Sequence, residues 1–85
     1  METRVAVISI IISNDESVEK VNEILHEYRE YVLGRMGIPY REKKICIISV
    51  ALDAPQNIIS TLSGKIGNLP DVSAKTAYSN QKFVI

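Results

Sequence analysis

The sequence has no tryptophan, one cysteine and one histidine, and its ten acidic side chains are matched by ten basic ones. Each shortage excludes something. A lone thiol excludes a disulfide within the chain and a metal cluster held on the chain's own thiolates. One histidine and one cysteine do not supply the converging ligands of a metal site within one chain; a site shared between symmetry-related copies through His26 or Cys46 is the open alternative. Zero net charge excludes a general electrostatic affinity for nucleic acid. No glycine-rich loop opens a helix, so Gly34 and Gly37 do not make a phosphate cradle. The apolar run Arg4–Ser13 is too short to cross a bilayer and lacks a signal-peptide cleavage site, so no membrane contact and a reducing cytoplasm are expected. Cys46 falls mid-strand and reads as a small buried hydrophobe rather than a nucleophile. His26 falls among glutamates and reads as a surface residue rather than a base. Neither an enzyme nor a cofactor is expected.

Aliphatic residues dominate what is there, and Ile and Val favour strands. Two runs carry the fold. In Val5–Ile12 and in Ile45–Leu52 both the odd and the even positions are mostly apolar. Side chains alternate across a strand, so a strand with one wet face alternates apolar and polar. These two do not, and both faces of the sheet centre are expected to be covered.

The chain reads in order as follows. Met1–Thr3 is a frayed end and Arg4–Ser13 a strand. Ser13 and Glu16 match a capping box that opens a helix over Asp15–Glu30, with Val18, Val21, Leu25, Tyr28 and Val32 as its apolar stripe. Tyr31–Ile38 is a second strand whose glycines mark a bulge or a close backbone approach. Pro39 belongs on an edge or just past it, and Pro39–Lys43 connects to a third strand over Lys44–Leu52. Asp53 is the expected N-cap of a helix over Pro55–Ile66, with Gly67 as a left-handed stop. Val72–Ser79 is a polar edge strand. Asn80–Ile85 is a tail whose Phe83, Val84 and Ile85 dock on this subunit or a partner.

The order β-α-β-β-α-β, with short connections and right-handed crossovers, selects an α+β ferredoxin-like βαββαβ sandwich in a single domain over residues 1–85. Its antiparallel sheet order is 4-1-3-2. The two doubly apolar strands then lie side by side in the centre. Two helices packed ~8–10 Å apart cover one face of four strands spaced ~4.8 Å apart and leave the other face bare. The even set (Ile8, Ile10, Ile12, Ile48, Val50, Leu52) is assigned to the helices because it lacks serine. The odd set (Val5, Val7, Ile11, Ile45, Ile47, Ala51) faces away as an apolar patch of several hundred Å², large for a monomer. It is the expected homo-oligomer interface, for a dimer or a tetramer. The alternative is cover by the C-terminal tail.

Charge is unevenly spread. Residues 1–34 hold seven acids against three bases, and residues 35–85 three acids against seven bases, net −4 and +4. Two ordinary solvated faces account for this, and attraction between subunits is the alternative. The aliphatic open face lacks the aromatics that stack single-stranded bases, which argues against RNA recognition.

The stretches GRMGIPYREK (Gly34–Lys43), ISVALDAP (Ile48–Pro55), LSGKIG (Leu62–Gly67) and LPDVSAKTAY (Leu69–Tyr78) resemble a family of short regulators associated with iron-only hydrogenase systems. The resemblance covers nearly the whole chain. It implies an ACT-like domain akin to the C-terminal oligomerising and sensing domain of nickel-responsive regulators. The chain differs from those regulators in having no room for their N-terminal ribbon-helix-helix domain and in lacking their several metal-ligating histidines. Direct DNA binding and nickel sensing therefore do not carry over.

The resulting expectation is a non-enzymatic regulatory domain that binds a small effector or a protein partner at a subunit boundary. Asn14 and Asp15 in the first strand–helix turn, with Arg35, Gly37, Tyr40 and Arg41 in the central hairpin, are the candidate ligand-binding residues. Arg and Tyr suit recognition of carboxylate, phosphate or a protein surface. A protein-interaction module for hydrogenase maturation with no small ligand is the alternative.

Overall fold

The computed structural model describes residues 2–84, and their side chains as far as Gln81. Strand β1 spans Glu2–Ile12, helix α1 Asp15–Glu27, β2 Val32–Tyr40, β3 Ile45–Ala54, α2 Gln56–Gly67 and β4 Val72–Val84. Two short 3₁₀ turns, Arg29–Tyr31 and Arg41–Lys43, bracket β2. The sheet order is β2-β3-β1-β4 with every neighbouring pair antiparallel. This is the expected ferredoxin-like sandwich.

Burial follows the alternation of the central strands. Ile8, Ile10, Ile12, Ile48, Val50 and Leu52 are at most 2% exposed. They pack with Val21 and Leu25 of α1 and Ile59, Leu62 and Ile66 of α2 in one core. Both helices therefore lie over the even face, and the odd face is open. In α1 the small Ser17 is also buried, and its hydroxyl donates to Pro70 O at 2.7 Å.

Several boundaries differ from expectation, each for a local reason. Helix α1 is capped by Asn14, not Ser13: Asn14 Oδ1 accepts from the Glu16 amide at 2.9 Å, while the Ser13 amide is taken by Asp71 O at 2.9 Å. The same helix stops at Glu27 and the chain tightens into the 3₁₀ turn, where Arg29 Nη1 donates to the His26 carbonyl at 2.9 Å. Asp53 does not cap α2; it stays in β3 opposite Val5, and Pro55 precedes the helix without a side-chain cap. Gly67 ends α2 without a positive φ, and among the described residues the left-handed positions are Lys44 (φ 54°) and Asp71 (φ 59°).

In β2 the register shifts between Val32 and Gly34, the expected bulge, whereas Gly37 pairs regularly with Ile48. A Cβ at Gly37 would meet nothing within 4 Å, so no backbone approaches it closely. Pro39 lies on this edge strand, as expected.

The chain ends also differ. Glu2 and Thr3 are not frayed: they pair with Val84 and Phe83, so β4 runs well past Ser79. Residues 80–84 form an edge strand and do not fold across the open face. Met1 and Ile85 lie outside the described residues.

Candidate ligand groove and open sheet face

Because α2 packs on β4 and β1 and α1 on β1, the helix-side surface of the edge strand β2 is not covered, and all of Leu33–Tyr40 is exposed. A groove runs between that surface and α1. Residues three and four apart along α1 form its wall. At the N-terminal end of α1 the groove opens into a cavity of about 390 Å³ lined by Asp15, Glu19, Pro39, Arg41, Lys44 and Cys46, among others. Ile12 and Val18 give it an apolar floor. Toward the other end of α1 lies a second cavity of about 340 Å³, lined by Asn22, Leu25, His26, Arg29, Val32 and Arg35. Arg35 Nη2 donates to Asn22 Oδ1 across it. Gly37 sits on β2 between Arg35 and Pro39, and its missing side chain leaves the groove open there.

The structure divides the six candidate ligand residues. Asp15 and Arg41 meet in the first cavity. Arg35 lines the second, and Gly37 lies between the two. Tyr40 pairs with Ile45 and points to the opposite side of the sheet, where its hydroxyl donates to Glu42 Oε2 at 3.5 Å. Asn14 is occupied as the helix cap, and its Nδ2 donates to Asp71 Oδ2 at 3.4 Å.

Sequence reasoning missed Glu19 and Lys44. Glu19 follows Asp15 by one helical turn, a signal that was readable. Lys44 enters through its left-handed backbone, which nothing in the local sequence announces. Cys46 is half-buried on the groove side rather than sealed in the core, and its thiol is free. His26 is exposed, as read. Two cations and two carboxylates thus ring an apolar floor, an arrangement that complements a small molecule carrying both signs of charge.

The open face is aliphatic. On it Val7 is 37% and Ile11 46% exposed, while Val5, Ile45, Ile47 and Ala51 are half-buried by their neighbours. Strand β2 extends the patch with Met36, Ile38 and Tyr40, all more than 40% exposed. Among the described residues no group of three or more His, Cys, Asp or Glu is placed to hold a metal ion. No helix among them is long and apolar enough to cross a membrane.

A family model, TM1266-like, described as "Iron-only hydrogenase system regulator, putative", matches residues 4–76. The chain belongs to the TM1266-like family. The solved structure of the uncharacterized protein TM1266 from Thermotoga maritima superposes on it with a TM-score of 0.86 and 34% identity, covering 89% of this chain and 96% of that one. A curated relative, the "Putative nickel-responsive regulator" of Saccharolobus solfataricus, is 27% identical over 63 residues. That match takes in 74% of this chain and 47% of the relative, so the chain spans about half the length of the curated relative it matches. A formyltetrahydrofolate deformylase from Pseudomonas putida KT2440 shares the fold at a TM-score of 0.67 and 14% identity, over 91% of this chain and 29% of that one. The regulator description of the TM1266-like family agrees with the resemblance read from the hairpin and helix motifs.

Proposed function

We propose that this TM1266-like chain is a non-enzymatic, ACT-like regulatory domain of an iron-only hydrogenase system. It works as a homo-oligomer closed over the open sheet face and takes a small effector in the groove between α1 and β2. The observation that carries this reading is the two-sided use of β2. Gly37 and Pro39 face the groove, while Ile38 and Tyr40 face the aliphatic open surface. An effector bridging Asp15 and Arg41 holds β2 and the turn after it in one position. The same strand then presents its other face to a neighbouring copy. Ligand and association are linked through the difference in affinity of the two states.

Thermal shift with amino acids, nucleotides and divalent metals tests the effector. A ligand present at 100 times its Kd stabilises by about 2.7 kcal/mol, which raises Tm by roughly 10 °C or more in a domain of this size. The expected result is a shift with one ligand class that is lost in Arg41→Ala. No shift with any class overturns the effector half and leaves an assembly module without a small ligand.

A further inference from the structure

The register lays the open-face side chains in rows across the strands, because directly paired residues share a face. Ile38, Ile47, Ile11 and Ser73 form one row. Met36, Ser49, Ser9 and Lys75 form the next, and Gly34, Ala51, Val7 and Ala77 the third. A bulky row and a small row thus flank a central pair of serines. Gly34 has no positive φ, and a Cβ there would meet nothing within 4 Å. Packing within the chain does not call for a glycine at that position, so the space lies open on this face.

Two sheets stacked in aligned fashion by a two-fold axis have two simple choices. An axis along the strands lays each row on its own copy, isoleucine on isoleucine and gap on gap. An axis across the strands lays each strand on its own copy and reverses the rows. Only the second choice fills the small row, and close packing favours it.

We infer that a second copy of this chain sits on the open face about a two-fold axis crossing the strands at Ser9 and Ser49, so that Ile47 of each copy packs on Ala51 of the other. This rests on the self-association reading above. Ile11 then packs on Val7 of the second copy, and Ile38 enters the space over Gly34. The serine hydroxyls meet near the axis, where each finds a partner. The patch is roughly 20 Å on a side, from four strand widths of ~4.8 Å and six residues of ~3.3 Å. That is about 400 Å² in projection, before side-chain relief, and supplies much of the ~800 Å² per partner of a standard interface.

Lys75 opposes the arrangement, since two copies meet in its row. It stands at the β4 rim, where its stem covers apolar surface and its ammonium reaches water.

An exchange experiment tests the axis. Sedimentation equilibrium is run on wild type, Ile47→Ala, Ala51→Ile and the double variant. Each single change is expected to weaken association at least about tenfold, by a cavity or by overpacking, and the double to return within about threefold of wild type. Val7→Ile, Ile11→Val and their double make the same test with single methyl changes if the larger ones disturb folding. Singles that associate as tightly as wild type, or doubles that stay as weak as the singles, overturn the axis while self-association stands. A wild-type chain that is monomeric throughout overturns both.

Discussion

Asn14 decides where α1 begins, and it does so against a neighbour with an equally good capping side chain. Ser13 is drawn off because its amide is held by the Asp71 carbonyl, which leaves Asn14 to turn its Oδ1 onto the Glu16 amide. Asn14→Ala is therefore expected to lower stability by about 1 kcal/mol in urea unfolding, while Ser13→Ala changes it little. Equal losses at both positions would contradict the assignment. Parity explains the grouping error in the candidate site. Arg35 and Gly37 share a face, and Tyr40 cannot share it if the strand continues through Pro39. With the second strand ended at Ile38, that conflict was hidden. Asp15 and Arg41 were legible as candidates by type, but their meeting depends on the tight turn after Tyr40.

At the scale of elements, the sheet centre was readable because its signal is local and strong: β1 and β3 are apolar on both faces. The ends were not, because long-range contacts decide them. Strand β4 breaks register opposite Arg4 and Ala6. The guanidinium of Arg4 fills the irregularity, donating from Nη2 to Ser79 O at 3.1 Å and lying 4.6 Å from the Tyr78 ring centroid. With that contact the chain resumes pairing beyond Gln81, where periodicity alone ends the strand at Ser79. Edge strand β2 has the opposite character, paired on one side and exposed on both faces. Amide exchange is expected to be slowest in β1 and β3 and fastest, among the four strands, in β2. Central strands exchanging as fast as β2 would contradict the placement of the core.

For the whole molecule, one lid covers two faces' worth of aliphatic surface. Folding buries the even residues under α1 and α2, and residues 80–84, part of the tail that was one possible cover for the odd face, pair in the sheet instead. The groove on one side of β2 and the aliphatic patch on the other share a strand, and on the proposed reading that strand ties the effector to assembly. At roughly 25 cal/mol per Å², burying the patch favours association by several kcal/mol before the entropy of association is subtracted. The mass of the free protein in solution tests this most directly. Sedimentation equilibrium across micromolar to sub-millimolar concentrations is expected to show a reversible oligomer at a whole multiple of the 9.5 kDa chain mass, lost on Ile47→Asp. A folded species that stays at 9.5 kDa over that whole range would contradict it.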